Sequence, residues 1–184
     1  MSARSENAEL VERYEAEAKT MKEKIDETEI LDMYDFKKPP MGSMFGVDLS
    51  KEMVKIATAK NCYTSVALSD CDDYLVAQDE SSADVIVSAD TYIYMGDIET
   101  SFRESRRVLK EGGYLVFSIE VIFDDVEAGF SLLQSGRYGQ SKSFVERLAE
   151  KYKFQVDFEE DVVIRKEQQE DILGKIFVLR GKVK

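Results

Sequence analysis

Histidine is absent from the 184-residue chain. That excludes Ser-His-Asp and Cys-His dyads, imidazole metal ligands and imidazole general bases together. Chemistry here has to run on carboxylates, tyrosines, lysines, cysteines or positioning alone. Cysteine is scarce: Cys62 and Cys71 match no zinc spacing, and a reducing compartment fits them best. The clustered carboxylates Asp70, Asp72 and Asp73 lack the calcium-loop pattern, so no metal is expected. No run approaches the ~18 to 20 apolar residues that a membrane span needs. The opening stretch MSARSENAELVERYEAEA is acidic and has no apolar core, unlike a secretory signal or an Arg-rich transit peptide. Cytoplasm is the expected location. Positive charge is in short supply: the net charge of −12 disfavours nucleic acid unless a local basic patch exists. The strongest basic cluster, Arg103, Arg106 and Arg107, is interrupted by Glu104. Glycine is missing from the whole first part of the chain, Gly42 being the first.

Periodicity supplies the rest. Val11, Tyr14, Ala18, Met21 and Ile25 alternate at spacings of three and four, which predicts a helix over 6–27 with one apolar stripe. That stripe either packs on the domain or docks a partner. Residues 28–43 contain Pro39 and Pro40, which exclude a helix interior; ILDM is a possible short strand there. From residue 44 onward strands and helices alternate: MFGVDL, a Ser50-capped helix, SVALS, a loop DCDDYLVAQDESS, ADVIVSA, a loop DTYIYMGD, a helix IETSFRESRRVLK closed by Gly112 and Gly113, and YLVFSIEV. The strands are continuous apolar runs, as in a parallel sheet covered on both faces. RYGQSKSFVERLAEKYKF predicts a helix burying Phe144, Val145, Leu148, Ala149 and Tyr152. Two further strands joined by EQQE are close enough only for an antiparallel hairpin. The expected class is α/β: a doubly wound, mostly parallel Rossmann-like sheet with a C-terminal antiparallel hairpin, preceded by an N-terminal helix.

GVDLSKEMVKIA, DVIVSADTYIYMGDIE and RRVLKEGGYLVFSIE, in that order, resemble the second, fourth and fifth strands of class I S-adenosylmethionine-dependent methyltransferases. The resemblance covers roughly residues 29–181. It runs nearest to the type 11-like group whose members sometimes carry tetratricopeptide repeats, which are absent here. It divides the chain into an N-terminal helix, 1–27, and a methyltransferase-like domain, 28–184, with a truncated first βα unit. It implies S-adenosylmethionine as cofactor and a small-molecule or protein acceptor. Asp48 would accept from both ribose hydroxyls, Leu49 and Met53 would pack beside the adenine, Asp70 would receive its amino group, and Cys71 would offer a backbone amide. Ala89 and Asp90 would sit near the reacting methyl group. Tyr92 and Tyr94, two apart and facing the same way if extended, would line the acceptor side. Asp90 and Tyr94 are the expected base candidates. Glu120 reads either as a pocket carboxylate or as a solvated strand end.

The sequence departs from that family at one place. A glycine-rich turn normally follows the first strand, where backbone amides must approach the cofactor's methionine part closely. Here ILD is followed by MYDFKKPPMGS, and Met33 to Phe45 leave too few residues for the usual helix. Gln140 also stands where the family often has histidine. Two expectations follow: an irregular loop containing Gly42 rebuilds the site, or the fold is a pseudoenzyme kept as a binding or assembly subunit, with the N-terminal helix as its docking element.

Overall fold

The computed structural model describes residues 42–123, 126–167 and 170–182. The expected helix over 6–27, the ILDM strand and the Pro39–Pro40 loop lie outside them, as does the middle of the EQQE connection. The chain divides into two compact units between Tyr74 and Leu75.

In the first unit, β1 (Phe45–Asp48) and β2 (Ser65–Leu68) pair in parallel, with Phe45 opposite Ser65 and Asp48 opposite Leu68. The crossover is helix α1 (Lys51–Ala59). It starts where the sequence places it: Ser50 is extended, and its hydroxyl accepts from the Met53 N–H at 3.2 Å, satisfying one of the helix's open donors. The expected DCDD loop is instead the start of a second helix, α2 (Cys71–Val76). Asp70 caps it, one carboxylate oxygen accepting from Asp72 N at 2.8 Å and Asp73 N at 3.3 Å. Asp72 and Asp73 then sit in the first turn, where the helix dipole favours negative charge. An acidic run that reads as a turn is therefore a helix start.

The second unit holds β3 (Ala83–Ser88), a 3-10 turn (Tyr92–Tyr94), α3 (Glu99–Val108), β4 (Leu109–Val121), β5 (Phe130–Leu132), β6 (Tyr138–Gln140), α4 (Lys142–Lys151), β7 (Phe154–Glu167) and β8 (Glu170–Gly181). β4 is its axis. It runs parallel to β3, antiparallel to β8, and parallel to β6 at its last residues, while β7 flanks β8 as the antiparallel hairpin that was expected. RYGQS does not enter the helix: Tyr138–Gln140 form β6, paired with β5, and Ser141 caps α4. Gly112 and Gly113 do not close α3 either. The helix stops at Val108, and the glycines lie in β4, where two steps along β3 from Ala83 to Val85 face five along β4 from Leu109 to Tyr114. Gly112 takes φ +71°, and a Cβ on Gly113 would come within 2.9 Å of the Asp84 carbonyl. The pair makes the bulge that lets the two strands re-register.

The core lies on one face of this sheet. Leu115 and Phe117 of β4 pair with Leu179 and Phe177 of β8 and are fully buried. Phe102 of α3 meets Phe117 edge-on at 5.5 Å, and Phe117 stacks on Phe177 at 5.4 Å. Val145 and Leu148 of α4 join the same cluster. Each such side chain contributes about 1.5–3 kcal/mol of burial. Coverage on both faces, expected from the apolar runs, does not hold for β3: Val85 and Val87 are 53% and 68% exposed, because no described element of this unit lies over them.

Candidate cofactor and acceptor site

In each unit, candidate residues lie at the C-terminal ends of the parallel strands. In the first unit, Asp48 ends β1 and is half-buried. Its Oδ1 accepts from Ser50 N at 2.8 Å, which fixes the carboxylate at the strand-to-helix turn. Ser69 N donates to the Asp48 carbonyl at 3.1 Å, so the chain leaving β2 toward Asp70 passes the same end. Asp48, Leu49, Asp70 and Cys71 are thus gathered on one edge of the β1–β2 pair. Leu49 is exposed beside Asp48, and Met53 is half-buried on the first turn of α1. Burial, reinforced by Asp72 and Asp70, pushes the Cys71 thiol up to about 12. It stays protonated at neutral pH and cannot act as a thiolate nucleophile.

In the second unit the chain leaves β3 through Ala89 and Asp90. Asp90 adopts φ +56°, a left-handed conformation that Asp tolerates better than most residues. Its N–H donates to the Ser118 hydroxyl of β4 at 3.1 Å. Tyr92 and Tyr94 occupy a 3-10 turn and not an extended segment, so the condition under which they would face the same way is not met. Tyr92 is buried against Phe117 at 5.3 Å and belongs to the core. Tyr94 is half-buried, with the Arg137 guanidinium 6.0 Å from its ring centre. Gln140 is wholly buried and donates to the carbonyls of Tyr92 at 3.1 Å and Met95 at 2.7 Å, bracing that turn.

Glu120 is no solvated strand end. It is buried at the close of β4 and accepts from Nη2 of Arg165, whose Nη1 lies 3.8 Å from Asp90 Oδ1. Arg165 reaches them because β7 carries a bulge between Val163 and Arg165, so the two residues do not share a face as alternation would require. Sequence reasoning missed Arg165 and Ser118. A lone cation inside the apolar run DVVIRK was the available signal for Arg165; Ser118 had none. Among the described residues, no group of three or more acidic or cysteine side chains is placed to hold a metal ion, and no helix is long and apolar enough to cross a membrane.

Residues 31–117 match the methyltransferase domain family. The fold is that of class I S-adenosylmethionine-dependent methyltransferases. No curated protein matches the sequence. Among solved structures, an S-adenosylmethionine-dependent methyltransferase from Methanosarcina mazei shares 16% identity at a TM-score of 0.62, over 77% of this chain and 83% of that one. The N-methyltransferase NodS from Bradyrhizobium japonicum, in complex with S-adenosyl-L-homocysteine, shares 18% at 0.56, over 76% and 66%. A chain of the complex between the Haloferax volcanii Trm112 methyltransferase activator and a methyltransferase shares 18% at 0.60, over 78% and 73%. Identities this low establish the methyltransferase fold.

Proposed function

We propose that this methyltransferase domain binds S-adenosylmethionine through Asp48 and transfers its methyl group to a small-molecule or protein acceptor. The observation that carries the reading is Asp48 itself: a half-buried carboxylate, tied at the C-terminal end of a parallel strand, where α/β folds bind a ribose diol. Leu49 and Met53 supply apolar surface for the adenine, Asp70 an acceptor for its amino group, and Cys71 its backbone amide. The cofactor supplies an electrophilic methyl group. What remains for the chain is alignment and exclusion of water, which do not require histidine. Asp90 takes the acceptor's proton, with Tyr94 on the acceptor side, and Arg165 holds the Asp90 carboxylate toward Glu120. The setting is a reducing cytoplasm.

Titration of the protein with S-adenosylhomocysteine tests this. Micromolar binding, weakened by Asp48→Ala at least about tenfold for the loss of charge-assisted hydrogen bonds, is expected. Absence of both heat and thermal stabilisation at millimolar ligand would sink the enzyme reading.

One observation favours a second reading. With no glycine before Gly42, the turn that cradles the methionine part has no residue free of a Cβ. The domain is then a binding or assembly subunit without catalysis, docking a protein partner through the 6–27 stripe. The activator complex among its structural neighbours offers a precedent for a protein partner on this fold.

A further inference from the structure

At the opposite end of β3 and β4 from Asp90, a cavity of about 740 Å³ opens in the second unit. Arg103, Arg106, Lys153 and Lys182 line it with Glu80 and Glu111. Arg107 also borders it but is committed elsewhere, donating to Glu104 and to the carbonyls of Leu75, Val76 and Gln78. Arg106 is held by one bond, Nη2 to the Lys182 carbonyl at 2.7 Å, and its guanidinium lies over Gly181, where a Cβ would stand 3.5 Å from Nε. Lys182 N donates to the Lys153 carbonyl at 2.9 Å, and Lys153 takes φ +59°. That backbone bond sets two lysines on one wall, and neither ammonium is in an ion pair among the described residues. Arg103 pairs through Nε with Glu104 and is about half exposed.

In a chain of net charge −12 this is a concentration of cations whose mutual repulsion an anion would relieve. The sequence of α3 already marked it as the strongest basic cluster. We propose that the cleft binds a phosphorylated small molecule. Arg103, Arg106, Lys153 and Lys182 meet the phosphoryl oxygens. The volume falls in the range of small-molecule pockets, and a lone phosphate would leave most of it empty. Glu80 and Glu111 accept from hydroxyl groups and repel an extended polyanion, which points to a sugar phosphate and away from nucleic acid. The six residues of β3 separate this ligand from Asp90, so it is neither the cofactor nor the methyl acceptor.

The test is titration of the full chain with ribose 5-phosphate, ribose and inorganic phosphate at low and high salt. Expected is one ribose 5-phosphate per chain, binding that weakens with salt, and none for ribose. The double variant Lys153→Gln/Lys182→Gln, both at exposed positions, should weaken binding at least about tenfold with an unchanged Tm. Asp48→Ala should leave it unaltered, which separates this site from the cofactor site. Inorganic phosphate binding equally well with the same sensitivity would also support the site and identify the phosphoryl group as what is read. No binding of either at millimolar concentration, binding indifferent to the double variant, or binding of poly-glutamate alone would overturn the proposal.

Discussion

The two units differ most in what they bury. Every fully buried hydrophobic side chain among the described residues lies in the second unit, from Tyr92 to Leu179, whereas the first buries only Ser50 completely. Phe45 and Leu68 of the first unit's strands are 57% and 56% exposed. The unit that carries Asp48 and Asp70 therefore has caps and a short parallel ladder, and the unit that carries Asp90 has a packed aromatic core. Ligand-binding segments are commonly drawn from the less stable end of a fold, and among the described residues the sparser burial lies with Asp48 and Asp70, the residues proposed to bind the cofactor.

The largest effect should come from the core. Phe117→Ala removes the ring that touches Tyr92, Phe102 and Phe177 and should cost about 3–5 kcal/mol by urea unfolding, while Leu68→Ala should cost less than about 1 kcal/mol. Equal costs would break the comparison. Next is Glu104, which is buried on α3 and bridges Arg107 and Arg103. Arg107 first, then Arg103, hold its carboxyl below the usual carboxylate range. A depressed carboxyl gives stability that is present above the ordinary glutamate value of ~4.3 and lost as pH falls through the lowered folded value. Glu104→Gln should cost about 2 kcal/mol at neutral pH, and the gap to the parent should close in acid melts. A gap that persists unchanged below that range would mean that shape and not charge is at stake. The gentlest probe is alkylation of Cys71. Its raised thiol should react about 100-fold or more slowly than in urea, and only through local opening of the first unit. If labelling under mild denaturant precedes loss of the core's tyrosine signal, the contrast between the units sharpens; if the two coincide, the units unfold as one.

What could be read in advance was whatever depends on near neighbours. Ser50 declares itself as a cap because the helix follows it directly, and the β7–β8 hairpin follows from the shortness of its connection. Asp70 misled because an acidic turn and an acidic helix start look alike in four residues. Gly112 and Gly113 misled because glycine serves a helix end and a strand bulge equally well. Among the candidate residues, Asp48 ends β1 and Asp90 follows the end of β3 by two residues, close to where the sequence pattern put them. The Glu120–Arg165 pair joins residues 45 apart and depends on a bulge that no local pattern announces.

The order of the sheet has a consequence for how the protein is made. β8 lies between β4 and β7, yet it is the latest of the described strands to leave the ribosome. From the end of β4 to the end of β8 is about sixty residues, or about 3 to 12 s of synthesis at ordinary elongation rates. For that interval the central strand has an open hydrogen-bonding edge, and Phe117 and Leu115 have no Phe177 and Leu179 beside them. Such non-local pairing is slow to form and exposed to misassociation while it waits. A nascent chain in that interval carries an unpaired strand edge and an uncovered apolar face, the features that invite aggregation and that chaperones shield.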